Sequence, residues 1–192
     1  MPAAAQIAPV FGITFVDADG DGDSDPVLAQ NSYSPQRETG NMDGGVSLLL
    51  QNEGNRSFTA VWPLQSGIVV PADAKSVAAV PMTQGSAPSL FFGVNNGAAQ
   101  TFHPGGKGAA LSIRMRGSKG NPNAIGARVT FTLPSGKSGR RDCFAGSGYL
   151  SQEPPTIMLP PTARKVMVHW PDGKKSAHSL LEGPNILKQP TT

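Results

Sequence analysis

The chain has 192 residues, among them 23 Gly and 18 Pro, and only 15% are charged. That length suits one medium domain or two small ones with modest cores, and the composition excludes a disordered tail. Cys143 is the single cysteine, which excludes an intrachain disulfide and a thiolate metal cluster, and no apolar run of about 20 residues is present to span a bilayer.

The net charge of +3 hides an opposition. Residues 1–104 hold 3 Lys/Arg against 9 Asp/Glu, whereas residues 105–192 hold 13 against 4. Such a split fits halves that attract each other, copies that pack head to tail, or a basic half that meets a polyanion such as an acidic glycan.

The opening MPAAAQIAPVFG lacks the basic start and apolar core of a signal peptide. Residues 10–16 (VFGITFV) alternate loosely, run into DADGDGDSD, and are followed by PVLAQN, which predicts strand, loop, strand. VSLLLQNEGNRSFTAV predicts two further strands about an Asn-Glu-Gly-Asn turn in which Gly54 and Asn55 take positive φ. These four strands make one small antiparallel sheet.

The pattern returns weakly at an offset of 64 residues, Pro81 answering Asp17, with KSVAAV (75–80), SLFFG (89–93) and an NNG turn (95–97). A repeated strand-loop-strand unit predicts stacked or radial blades, although two blades cannot close a ring. The turn-rich HPGGKG (103–108) marks a boundary, giving two blades over 1–104 and a second unit over 105–192. In that unit LSIRMR (111–116) aligns Leu111, Ile113 and Met115, RVTFTL (128–133) aligns Val129, Phe131 and Leu133, and VMVHW (166–170) aligns Val166, Val168 and Trp170 before a Pro171-Asp172-Gly173 turn. The expected fold is all-β: incomplete β-propeller-like blades followed by a compact antiparallel β module.

Asp17, Asp19, Asp21, Asp23 and Asp25 fall at every second position, with Gly20 and Gly22 between them. Five carboxylates so close repel one another, and a hard cation with six to eight oxygen ligands turns that repulsion into coordination. The spacing predicts one Ca2+ loop: side-chain oxygens from Asp17, Asp19, Asp21 and Asp25, the backbone carbonyl of Asp23, and the sharp turn at Gly22. An EF-hand is excluded because the twelfth position is Leu28 and the flanks read as strands. In the second repeat the matching positions are Pro81, Thr83, Gly85 and Ser89, so no second ion is expected.

FVDADGDGDSDPVLAQN with LLLQNEGNRSFTAV resembles the FG-GAP/VCBS repeat, a propeller blade with a calcium loop. RMRGSKGNPNAIGARVTF (114–131), AGSGYLSQ (145–152) and VMVHWPDGKK (166–175) resemble the ASPIC/UnbV domain of cartilage acidic protein and bacterial secreted proteins. After AGSGYLSQ, where that family continues with a basic, His-containing, Gly-rich turn, this chain has EPPTIMLPP (153–161). The resemblance implies export, calcium and an adhesive or scaffolding role, with a secreted or periplasmic location.

Other chemistry reads weakly. Ser147 in AGSGY lacks the glycines two before and two after it that a nucleophile elbow requires, and His103, His169 and His178 lie far apart. Cys143 beside Arg140 and Arg141 reads as a small core residue rather than a reactive thiol. Arg114, Arg116, Lys119, Arg128, Arg140 and Arg141 are candidates for one basic face toward an acidic glycan, and the missing aromatic interleaving argues against nucleic acid. The expected function is a non-catalytic extracytoplasmic calcium-binding adhesion or scaffolding protein with a protein partner or self-association. The alternative is an accessory subunit of an envelope complex or filament whose blade edges neighbouring chains complete.

Overall fold

A computed structural model describes residues 1–33, 36–83, 85–103, 110–181 and 185–190. Val10–Val16 (β1), Asp25–Gln30 (β2), Leu48–Asn52 (β3) and Phe58–Val61 (β4) form the expected antiparallel sheet in the order β1-β2-β3-β4. In the turn between β3 and β4, positive φ falls on Gly54 (72°) and Arg56 (70°), not on Asn55. The Asn55 side chain instead accepts the Ser57 N–H at 3.0 Å, closing the bend from its side chain while its own backbone stays unstrained.

The short helix Pro63–Ser66 (α1) leads into the second sheet, where Ala74–Val80 (β5), Ser89–Val94 (β6) and Gln100–Phe102 (β7) lie in the order β5-β6-β7. The register repeats with the sequence. β1 runs against β2 from Val10↔Gln30 to Val16↔Asp25, and β5 against β6 from Ala74↔Val94 to Val80↔Ser89. Every one of these positions lies 64 residues beyond its counterpart (74 against 10, 80 against 16, 89 against 25, 94 against 30), and so does the register shift after the first pair.

The two sheets meet by unlike faces. Val16, Val27, Ala29 and Leu49 of the first pack against Val77, Ala79, Leu90 and Phe92 of the second. By the repeat, Val77, Ala79 and Phe92 correspond to Ile13, Phe15 and Leu28, which lie on the opposite face of the first sheet from Val27 and Ala29. At Gly12 the sheets come so close that a Cβ would stand 2.8 Å from Ser76 Cα and 2.9 Å from the Val77 nitrogen. Only a hydrogen fits between the two backbones.

A polar joint closes one end of this contact. Asn31, fully buried with φ 89°, donates from Nδ2 to the carbonyls of Gly45 (2.8 Å) and Ala72 (3.1 Å) and accepts the Gly45 N–H at 2.9 Å. Buried Asp73 pairs with Lys75 at 2.5 Å and accepts from Asn95 Nδ2 at 2.9 Å. Lys75 also stands over the Phe11 ring, 3.6 Å from its centroid.

Beyond residue 109 the chain builds two further sheets. Leu111–Arg116 (β8), Arg128–Thr132 (β9), Ser138–Asp142 (β10), Thr156–Leu159 (β11), Lys165–His169 (β12), Lys175–Ser179 (β13) and Asn185–Lys188 (β14) are ordered β10-β9-β12-β13 and β11-β8-β14. Their inner faces share one core, which holds the three alternating sets expected from the sequence together with Ile157, Leu159 and Leu187. The Trp170–Gly173 turn forms as expected, with the Gly173 N–H on the Trp170 carbonyl at 2.9 Å.

The module is not wholly antiparallel, because β14 pairs parallel to β8. β13 and β14 belong to different sheets, so the chain crosses between layers there and no hairpin dictates its direction. EPPTIMLPP supplies a strand, β11, rather than only a departure from a family turn. The expected boundary at 104/105 lies outside the described residues.

The halves are joined through the free side of β1 and β5. The Thr14 hydroxyl donates to the Glu153 carboxylate, which also accepts the Ala79 N–H at 3.4 Å, and the Phe11 and Tyr149 rings stand 5.7 Å apart.

Two outcomes follow from this packing. Gly12→Val should destabilise the protein by about 1–3 kcal/mol, because backbone rather than a flexible side chain must give way; a chemical-denaturation midpoint equal to that of the parent contradicts the close approach. Burial pushes the Asp73 carboxyl up, but Lys75 and Asn95 outweigh it and hold it below 3.8. A depressed carboxyl stabilises the fold above its unfolded value, and this contribution is lost as pH falls through the folded value. Asp73→Asn should therefore cost stability at pH 7 and flatten the loss below about pH 4, as followed by melting temperature against pH.

Candidate metal centre

The Asp17–Asp25 loop is wound by its own carboxylates. Asp17 accepts the N–H groups of Gly20 (2.9 Å) and Gly22 (3.2 Å), Asp19 that of Asp21 (3.1 Å), and Asp21 that of Asp23 (2.7 Å). Gly20 and Gly22 take φ of 85° and 93°, which lets the chain turn tightly enough for these bonds. A Cβ on Gly22 would also meet Leu133 Cδ1 at 2.7 Å, so the loop lies hard against the second module.

Asp25 opens β2 with no exposed surface. One of its oxygens accepts the Ala18 N–H at 2.7 Å and the other the Asn52 N–H at 2.8 Å. This carboxylate therefore fastens the start of the loop to the end of β3. Asn52 Nδ2 reaches the Ser24 carbonyl at 3.2 Å, and Gln51 Nε2 donates to Asp19 Oδ2 at 2.9 Å.

Of the four expected carboxylate ligands, Asp17, Asp19 and Asp21 each bring an oxygen within 4.8 Å of the others. Two oxygens on one Ca2+ ion, each about 2.4 Å from it, stand at most about 4.8 Å apart, so the trio is close enough to share an ion, and carboxylates are the hard donors it prefers. The trio thus fits the ion by donor type and spacing. Asp25 is committed to backbone N–H groups, though its second lone pairs remain. Asp23 is outside this trio, its Oδ2 lying 2.9 Å from Lys137 Nζ.

Lys137, in the hairpin between β9 and β10, was not anticipated. Its ammonium lies 2.9 Å from Asp23 Oδ2, 3.3 Å from Asp21 Oδ2, and donates to the Asp21 carbonyl at 3.1 Å. Asp23 Oδ2 is buried without a hydrogen-bond partner, so proximity to this charge, not an aligned bond, compensates it. Arg141 stands behind, favoured in its charged form by Asp17 and Asp23 although burial lowers its pKa overall. The opposed charges of the two halves thus meet inside one molecule.

Compensation is incomplete. Burial, and then the charges of Asp21 and Asp25, hold the Asp17 carboxyl above 3.8 against the pull of the Gly22 and Gly20 N–H groups. Burial likewise raises Asp25 against the Asn52 and Ala18 N–H groups, with Asp19 and Asp21 adding to the rise. For Asp21, burial is outweighed by the Asp23 N–H and Lys137, and its carboxyl lies below 3.8. A cleft of about 390 Å³ between the β1–β4 and β5–β7 sheets opens on Asp17 and Asp19, with Leu49, Ile68, Leu90 and Phe102 on its walls.

In the second repeat Ser89, at the position of Asp25, is buried and shares a 2.9 Å hydrogen bond with His103 Nδ1. A hydroxyl with an imidazole partner replaces the buried carboxylate. His178 Nε2 bonds Ser176 Oγ at 2.7 Å, Ser176 Oγ also accepts from Trp170 Nε1, and His169 is half-buried on β12. Ser147 is exposed, just after a bend, and its hydroxyl accepts the Glu153 N–H at 3.2 Å. Cys143 is a core residue whose burial raises the thiol pKa, and it donates to the Asn123 carbonyl at 3.3 Å.

The six basic candidates do not share one face. Arg114 and Arg116 project from the outer side of β8, and Lys119 follows them. Arg128 and Arg140 lie on the other sheet, where both pair with Asp142 at 3.2 and 2.7 Å. Arg141 is opposite Val129 on the inner face of that sheet, 5.6 Å from the Phe131 ring centroid. Alternation along the strands separates them. No helix among the described residues is long and apolar enough to cross a membrane.

Comparison with known proteins bears on the basic half. No curated protein matches the chain. Residues 117–188, from the loop after β8 to the end of β14, match the family model described as ASPIC and UnbV.

Proposed function

We propose that the chain is a non-catalytic, extracytoplasmic binding or scaffolding protein in which Ca2+ stabilises a first blade of FG-GAP/VCBS type and the basic module docks onto a partner. The observation that supports this most is the convergence of Asp17, Asp19 and Asp21 within 4.8 Å. Asp17, Asp19 and Asp21 would hold the ion, with Asp25 behind them and the Asp23 carbonyl beside them. The ion would supply positive charge and rigidity, since ligation to the folded loop alone adds about 2.7 kcal/mol at a hundredfold excess over Kd.

Calcium should raise the melting temperature over that of chelated protein by about 5–10 °C for a chain of this size. Asp21→Ala should remove the increment, and coincident melts with calcium and chelator in the parent protein would sink the reading. Lys137→Gln should tighten calcium binding by about 3–10-fold, since the half-buried lysine shares the Asp21 carboxylate with the ion and the loss of its charge beside the loop favours the ion. Unchanged or weaker affinity by calorimetry would show that Lys137 does not compete.

A second reading, an accessory subunit completed by neighbouring copies, is favoured by one observation. Ile13 and Phe15 are 44% and 57% exposed, while their repeat counterparts Val77 and Ala79 are each 1% exposed against the first sheet. The same kind of face is covered once and open once, and unlike-face contacts of this sort propagate from copy to copy. Light scattering on size-exclusion fractions should then show oligomers that the double change Ile13→Ser, Phe15→Ser disperses. A parent protein that stays monomeric at about 100 μM excludes this reading.

A further inference from the structure

The outer face of β8 carries Arg114 and Arg116 two residues apart, which places their bases about 7 Å apart on one side of the strand. Parallel pairing sets Lys188 beside Arg116 and adds a third cation to that face. Lys119 comes from the loop leaving the strand. All four are exposed, and none pairs with a carboxylate among the described residues.

An open cleft of about 360 Å³ lies between β8 and this loop, lined by Arg114, Arg116, Ser118, Lys119, Pro122 and Asn123 among others, with no acidic or aromatic side chain in its lining. Its loop wall is fixed by internal bonds. Gly117 N–H donates to the Pro122 carbonyl at 3.0 Å, Asn121 Nδ2 to the Ile125 carbonyl at 2.8 Å, and Asn121 Oδ1 accepts the Ile125 N–H at 2.9 Å. Gly117 is required here, since a Cβ would lie 2.2 Å from the Asn121 carbonyl oxygen. Cys143, through its thiol, holds Asn123 from the core side.

The basic half therefore spends its charges unequally. Lys137 and Arg141 serve the aspartate loop, and Arg128 and Arg140 are neutralised by Asp142. The cleft at the end of β8 combines cations that pair with no carboxylate among the described residues with a rigid wall. We propose that this cleft binds an acidic polysaccharide, with Arg114 and Arg116 gripping carboxylate or sulfate groups of successive sugars and Lys119 and Lys188 flanking them. A guanidinium fork matches either group in a bidentate manner, and ammonium groups add point charge at the rim. A lining without aromatic platforms disfavours single-stranded nucleic acid. The proposal deepens the reading of the basic module as the docking half and rests on it, but not on calcium.

The test uses the full chain with polygalacturonate and dextran sulfate as probes, neutral dextran as control and an oligodeoxynucleotide as competitor, by calorimetry at about 0.15 M salt. Binding to at least one acidic glycan and not to neutral dextran is expected. Arg114→Ser with Arg116→Ser should weaken it by about tenfold or more, Arg114→Lys with Arg116→Lys by about threefold, and Arg128→Ser with Arg140→Ser by less than about twofold. Equal losses in the two serine pairs would reduce the effect to net charge and overturn the site. So would binding of neutral dextran, absence of any glycan binding, or an oligonucleotide bound more tightly than either glycan. The calcium-dependent rise in melting temperature, measured on the same arginine variants, separates the claims: an unchanged rise with lost glycan binding supports the cleft, and glycan binding without any rise defeats only the calcium reading.

Discussion

The buried carboxylate of Asp25 holds three strand ends together. It leaves water only because two backbone N–H groups, from Ala18 and Asn52, meet its two oxygens. An unpaired carboxylate at that depth would cost several kcal/mol and would protonate instead. The bond to Ala18 sets where the loop leaves β1, and the bond to Asn52 sets the reach of the β3–β4 hairpin beside it. Convergence of Asp17, Asp19 and Asp21 follows from that frame, and so does the acidic surface that Lys137 meets. Where the repeat replaces this residue by Ser89, the hydroxyl needs only His103, and the acidic loop around it has gone too.

The joint between the halves combines a charged contact with apolar ones. Leu133 and Pro160 press against the turn at Gly22, and Lys137 lies alongside. Exposed ion pairs contribute little alone, typically under about 1 kcal/mol. Here the pair sits beside a packed contact and a buried oxygen that no hydrogen bond reaches, so its part is to choose one docking orientation as much as to stabilise it. Of the six basic residues that suggested a polyanion in the sequence, Arg128, Arg140 and Arg141 face carboxylates of the chain itself, whereas Arg114, Arg116 and Lys119 pair with none among the described residues.

Much of the architecture was legible in the residues. The alternating runs at 111–116, 128–133 and 166–170 bury the side chains that alternation selects. The weak echo at 64 residues proved to be a shared register, down to the irregular step after Val10 and Ala74. The strands without a legible pattern were β7, β10, β11, β13 and β14, and all five are edges of their sheets. An edge strand has one ladder partner and less to bury, so sequences such as SGRRD and KSAHS carry no alternation to read. Lys137 and Gln51 were invisible at the aspartate loop for a different reason: their distance along the chain hides a proximity only the tertiary packing creates. The imbalance of charge between the halves was the one signal that pointed to such a contact. The parallel placement of β14 had no local signature, since direction across layers is not written in a strand's own pattern.

The span of these contacts along the chain has its own consequence. Lys137 is 116 residues from Asp21, and Glu153 is 139 from Thr14. A chain emerging from its amino end lacks the groups that meet the acidic loop until Lys137 has been made, and those that meet β1 and β5 until Glu153 has been made. Closing such distant pairs is entropically late, because loop-closure cost precedes any reward from the contact. The completion of the first strand thus belongs to the end of folding, and a chain cut short before residue 153 keeps its amino-terminal sheets without the groups that finish them.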